Sequence, residues 1–246
     1  MTTVVDKPAP GVVFQGAAQI AGQPLFAPLR IDVGAGHWTC LLGPSGIGKS
    51  TILRLIAGLD TGAVFDGDIS TNDGGPLTGR FAYMAQSDLL LPWLDVRQNV
   101  LLGQRLRGGS ARVDRADALI ARVGLADHVA KRPAQLSGGM RQRVALARTL
   151  VEDRPIILLD EPFSALDART RAEMQELAAE FLADRTVLLV THDPAEAARL
   201  GHTIIVMTEA GLTEVPAPTT PPVRAHDDTA AFACQTALMD LIRAPV

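Results

Sequence analysis

Cysteine is scarce in this sequence. Among 246 residues there are two, Cys40 and Cys234. Two thiols build no disulfide framework, and nothing in the sequence has the spacing of a metal-ligand cluster, so a reducing compartment fits. Cys40 lies in an apolar run and reads as a small buried side chain. Positive charge is not in excess either. The 23 Lys and Arg against 27 Asp and Glu leave a net charge of -4, which argues against a nucleic-acid partner. Long hydrophobic runs are missing. No apolar stretch approaches the ~18 residues needed to cross a bilayer, so any link to a membrane must come through a partner. The opening MTTVVDKPAP has no basic segment followed by an apolar one, and no export signal is expected. Heptads and internal repeats are absent too. What remains is 47% hydrophobic and 20% charged, an ordinary globular composition with length enough for a buried core.

The chain is organised around Gly43-Pro44-Ser45-Gly46-Ile47-Gly48-Lys49-Ser50-Thr51, which reads G-x-x-x-x-G-K-S. Before it, residues 38–42 (WTCLL) have strand character. After it, Ile52, Leu53, Leu55 and Ile56 recur at helical spacing. A phosphate-binding loop belongs between a strand and a helix, and this one stands there. Glycines at 43, 46 and 48 let the backbone turn tightly and approach a ligand. The N–H groups from Gly46 to Thr51 then converge at a helix N-terminus, which favours an anion. Lys49 brings a positive charge to the β- and γ-phosphates, and Ser50 offers a hydroxyl to Mg²⁺. The bland alternative is a Gly-rich turn that binds nothing.

Around the loop, residues 12–14 and 29–33 look like strands of a small β layer. Residues 60–80 read as turns with a short strand at 67–71. Residues 80–84 return to strand character, ending at Gln86. From Pro92 to about Lys131 the pattern is helical. Asp95 caps a helix carrying Val96, Val100, Leu101 and Leu106, and a second helix runs near 113–123 to Gly124. Helix resumes over 139–151. A strand at 156–160, a helix from about 168 to 182 and a strand at 186–191 follow, and this alternation indicates a mainly parallel sheet. Residues 216–222 (PAPTTPP) form a stiff spacer before a final amphipathic helix over about 229–242.

Two further stretches carry chemistry. Residues 156–161 (IILLDE) are four apolar residues ending in two carboxylates. A buried parallel strand opens its C-terminal end at the ligand edge. Asp160 there faces a Mg²⁺ shell, through water, and Glu161 orients and deprotonates an attacking water. In residues 136–143 (LSGGMRQR), Ser137, Gly138 and Gly139 open a helix and form a second anion site. Read alone, Ser-Gly-Gly is more simply a helix cap.

They do not stand alone. The loop, Gln86, LSGGMRQR, IILLDEPFSALD and VLLVTHD occur in the order and spacing of the ABC-type ATPases, and the chain resembles that family over nearly its whole length. The resemblance implies an α/β P-loop NTPase fold of ABC type, with a mainly parallel sheet core, an N-terminal antiparallel β layer and an inserted helical lobe. It implies one domain over 1–246, with core 11–85 and 152–215, helical lobe and signature helix 87–151, and linker and C-terminal helix 216–246. It gives Gln86 a contact to Mg²⁺ and a signalling role, and residues 164–167 a contact between two such domains. It makes His192 the switch that contacts the γ-phosphate, although a lone His at a strand end is usually structural. It also implies a head-to-tail pair of copies that share two ATP molecules. The family's adenine-stacking aromatic falls on Ile20, so base stacking is in question, with Phe26 the nearest substitute.

The resemblance points to the ATP-hydrolysing subunit of a membrane transporter. The alternatives are a soluble ABC-type ATPase unlinked to transport, or a P-loop kinase, which would leave LSGGMRQR without a purpose. A short chain with no membrane span suggests an importer with a separate permease and, indirectly, a solute-binding protein. Its place would be the cytoplasmic face of the inner membrane. Residues 89–94 (LLLPWL) resemble importers of the nitrate, taurine and sulfonate type, a group that includes pyrimidine thiamine-precursor importers. The competing reading is an apolar patch that docks any membrane partner.

Overall fold

The computed structural model describes residues 8–108 and 112–243. Part of the segment read as free of an export signal, residues 1–7, lies outside them.

Strand β1 (Val12–Ile20) pairs antiparallel with β2 (Gln23–Val33) on one side and β4 (Ala63–Thr71) on the other. All three run longer than the sequence suggested. β2 continues through Pro24 and Pro28 because it is an edge strand, where a missing N–H breaks no ladder bond.

The second sheet is built on β3 (Trp38–Leu42), which is buried throughout. It pairs in parallel with β7 (Thr186–Thr191) and β8 (Thr203–Thr208), and β9 (Gly211–Val215) returns antiparallel to β8. The order is β5-β6-β7-β3-β8-β9, with β5 at Phe81–Met84 and β6 at Ile156–Asp160. The inner strands β3, β6 and β7 are near-continuous apolar runs, as strands covered on both faces must be.

The chain divides into two compact units. Among the described residues, the first holds 8–81, 155–158 and 183–243. It holds β1 to β4, β7 to β9 and the start of β6, with α1 (Lys49–Ile56), α7 (Pro194–Leu200) and α8 (Thr229–Arg243). Neither α7 nor β9 was legible. α7 is short and buried on nearly every side, so it shows no amphipathic period.

The second unit, residues 82–154 and 159–182, is helical. It contains α2 (Val96–Val100), α3 (Leu102–Leu106), α4 (Val113–Arg122), α5 (Gly138–Leu150) and α6 (Ala168–Phe181). Asp95 caps α2 in a reciprocal capping box with Gln98. The helix expected to continue to Leu106 breaks instead at Leu101. Gly103, a poor interior helix residue, lies against the Glu152 carboxylate, where a side chain would collide. After the break Leu106 points outward and is 78% exposed, while Val96, Val100 and Leu101 stay buried.

Candidate nucleotide site

In the first unit the phosphate loop joins β3 to α1. Gly48 is the N-cap of α1 at φ 107°, a conformation that L side chains rarely adopt. A Cβ there would stand 3.0 Å from Phe26 Cδ1 and 3.2 Å from Leu25 Cγ, so the loop rests directly on β2. Gly43 lets the chain pass against the carbonyl of Met207 in β8. Buried Lys49 folds back across the loop, its Nζ donating to the carbonyls of Gly43 and Pro44 at 2.7 Å each. These bonds hold the ammonium at the loop's centre.

A cavity of about 820 Å³ opens beside the loop tip, lined among others by Leu25, Phe26, Ile47, Met207 and Glu209. Phe26 lines it but is only 7% exposed. Its ring is buried under Gly48 and meets Phe14 edge-on at 6.2 Å between centroids. Ile20, at the end of β1, is 40% exposed. Any stacking by Phe26 would require its ring to leave this packing under the loop.

His192 follows β7 and is exposed. The next residue, Asp193, caps α7 through Ala195 N–H at 2.9 Å.

In the second unit, Glu161 is held from several sides. Its carboxylate accepts from Gln86 Nε2 at 3.1 Å. Its carbonyl accepts from Ser164 Oγ at 3.0 Å and from Gln142 Nε2 at 3.5 Å, and Gln142 also donates to Pro162 O at 3.1 Å. Glu161 has φ 47°, a left-handed conformation that costs a non-glycine residue on the order of 1–3 kcal/mol and persists only when neighbours impose it. Asp160 beside it is buried at 3% exposure. The pairing of Gln86 with Glu161 and the clamp by Gln142 were not read from the sequence. Gln142 stands within the signature, but only the fold brings it to the loop after β6.

Ser137 is the N-cap of α5, its Oγ accepting Met140 N–H at 3.2 Å. It and Gly138 are exposed. The helix cap expected of Ser-Gly-Gly is thus present. Asp167 caps α6, and backbone donation from Thr170 holds its carboxyl below the ordinary Asp value.

The 88–95 segment is locked from beneath. Buried Asn99 accepts from Leu91 N–H at 2.8 Å and donates to the carbonyls of Leu91, Leu94 and Asp95. Arg148 donates to Leu89 O at 2.9 Å and Asp88 O at 2.6 Å. On this platform Trp93 is 64% exposed, with Leu89 and Pro92 exposed beside it. Asn99 gave no sequence signal; it looked like a polar residue on a helix.

A strand–loop–helix with G-x-x-x-x-G-K-S, seated on the central strand of a mostly parallel sheet, defines a P-loop nucleotide-binding protein. The ABC transporter family model matches residues 26–164, and the chain belongs to that family. It is an ABC ATPase of α/β fold. It is 47% identical over 188 residues to an uncharacterized ABC transporter ATP-binding protein of Haemophilus influenzae, covering 76% of this chain and 77% of that one. It is 47% identical over 193 residues to an aliphatic sulfonates import ATP-binding protein of Agrobacterium fabrum (76% and 72%). A thiamine import ATP-binding protein of Mesorhizobium japonicum is 43% identical over 190 residues (74% and 75%). Among solved structures, a bacterial Atm1-family ABC exporter with ATP bound matches at TM-score 0.75 and 27% identity. All of this chain is covered there but 45% of the exporter's, so the likeness is to part of that protein. Among the described residues no helix is long and apolar enough to cross a membrane.

Proposed function

We propose that this chain is the ATP-binding, ATP-hydrolysing subunit of a membrane importer for a small solute. The solute would be of the nitrate, taurine and sulfonate class or of the thiamine-precursor class. The observation that carries the hydrolytic reading is Glu161, a strained carboxylate clamped by Gln142 and Ser164 and oriented by Gln86. The importer reading rests on relatives named as sulfonate and thiamine import proteins, which favour it over a soluble ATPase unlinked to transport.

Each residue then has a role. The N–H groups of Gly43 to Thr51 and the Lys49 ammonium bind the phosphates. Ser50, Gln86 and Asp160 supply oxygen donors only, a set that suits the hard cation Mg²⁺, with Asp160 acting through water. When bound, Mg²⁺ neutralises charge on the β- and γ-phosphates. Glu161 takes the proton from the attacking water, and Gln86 fixes its carboxylate. His192 contacts the γ-phosphate. Ser137, Gly138 and Gly139 receive the γ-phosphate of a second copy's ATP, in a head-to-tail pair with two-fold symmetry. The exposed Leu89–Trp93 platform docks the permease, which places the subunit at the inner face of the membrane. The solute-binding protein is an indirect partner.

ATP bridging two copies makes dimerisation the test. Glu161→Gln with Mg²⁺-ATP sediments as a dimer, and without nucleotide as a monomer. Adding Ser137→Arg places charge and bulk at the shared face and returns it to monomer. A double variant that dimerises as well as Glu161→Gln alone would remove the shared site from the proposal.

A further inference from the structure

Arg224 is a buried cation held by carbonyl oxygens. It is 3% exposed. Its Nη1 donates to Ala198 O and Gly201 O, its Nη2 to Pro218 O and its Nε to Thr220 O, each at 2.9 Å. A buried guanidinium is costly unless its donors are matched, and here four bonds match them. Ala198 and Gly201 stand at the last turn of α7, where helical carbonyls lack internal partners and negative charge accumulates. The main chain adds a reciprocal pair: Arg224 N–H donates to Arg199 O at 3.1 Å, and Arg199 Nε donates to Arg224 O at 3.0 Å. The segment before α8 is thus fastened to the C-terminal end of α7, and α8 packs along α7 with Leu238 buried.

The other end of α7 begins directly after His192. Thr191 Oγ1 accepts from Asp193 N–H at 3.0 Å and donates to buried Glu196 Oε2 at 2.8 Å, which joins the end of β7 to the first turn of α7. α7 has seven residues, about 10 Å at 1.5 Å per residue, and is buried along nearly all of them. A short helix held at both ends moves as one piece.

We propose that Arg224 is a positioning residue for His192. The C-terminal segment grips α7 by its last turn, and α7 sets where His192 stands. This rests on the reading of His192 as the γ-phosphate contact. It makes Arg224, which lies beyond the stretch matched by the family model, a support of the hydrolytic site.

The test uses the full chain together with its permease. Arg224→Met keeps the length and removes every donor. It lowers kcat for ATP on the order of tenfold, because small misplacements of a catalytic group act on the transition state. It leaves KM and the Kd for ATP within about twofold. The imidazole ¹⁵N signal of His192, assigned by its loss in His192→Gln, shifts. Arg224→Lys keeps a cation that can reach part of the carbonyl set, and gives a smaller change in the same direction. Phe232→Ala, on the exposed side of α8, changes neither readout. The inference is overturned if Arg224→Met loses stability but keeps kcat and the His192 signal. If Arg224→Met does not fold, the same result for Arg224→Lys overturns it. Glu161→Gln in the same series separates the two readings. If it hydrolyses ATP normally, the proposed catalytic base is wrong. If it is inactive while the Arg224 variants turn over normally, only the role of Arg224 falls.

Discussion

Replacing Glu161 by Gln separates binding from hydrolysis at one atom. The two side chains have nearly the same volume. Gln86 Nε2 lies 3.1 Å from the Glu161 carboxylate, and the Oε1 of a glutamine still accepts that bond, though without the charge that strengthens it. Gln142 and Ser164 hold the carbonyl of residue 161, which the substitution leaves in place. The strain at φ 47° is common to both residues and cancels. Folding stability should therefore change by about 1 kcal/mol at most, the scale of turning one charged hydrogen bond into a neutral one. What disappears is the proton acceptor. Loss of a general base costs ~10²–10⁴ in rate. At about 1.36 kcal/mol per factor of ten, that is about 2.7–5.4 kcal/mol on the barrier. Phosphate release, ATP titration and thermal melts on the same preparation give the three numbers. The expected set is a melting temperature within about 4 °C of the natural protein's, an ATP affinity near the natural value, and turnover down by about 10² or more. Normal turnover refutes the assignment of the base. A collapse in stability refutes the argument that the clamp is indifferent to the charge.

Three further outcomes are expected. With Ile20 half-exposed at the base position and Phe26 committed to packing under Gly48, ATP and GTP should compete for binding within about tenfold, or about 1.4 kcal/mol. A larger preference in a displacement titration would mean that some other residue reads the base. Trp93→Ala should weaken capture of the permease subunit and leave nucleotide affinity unchanged, because the Asn99 and Arg148 bonds beneath it persist; equal loss of both would make Trp93 a folding residue. His202 should make stability depend on pH. Its Nδ1 accepts from Trp38 N–H at 3.1 Å, and burial, then His37, then Arg224 hold its pKa below the ordinary imidazole value. The unfolded chain then takes up the proton first. Stability is full above about pH 6.5 and falls as pH drops through that value toward the lower folded pKa. His202→Gln should flatten the melting temperature over that window, and an unchanged slope would assign it to other groups.

Local chemistry was legible from the sequence by itself. The glycines and lysine of the loop, the apolar run into Asp160 and Glu161, the caps Asp95 and Ser137, and the inner strands of the sheet all follow from residues a few positions apart. Backbone geometry, helix termini and apolar periodicity are short-range properties, so residue order specifies them. Tertiary structure decided what depends on distant neighbours. It ran β2 through two prolines because that edge needs no N–H, and it broke the α2–α3 stretch at Leu101, turning Leu106 to solvent. It committed Phe26 to the underside of the loop. Gln86 and Glu161 are 75 residues apart in the chain, and Arg224 lies 26 from the Ala198 carbonyl it caps. A side-chain amide or guanidinium carries no mark of its partner in the sequence, because its partner is fixed only when burial forces every polar group to find one.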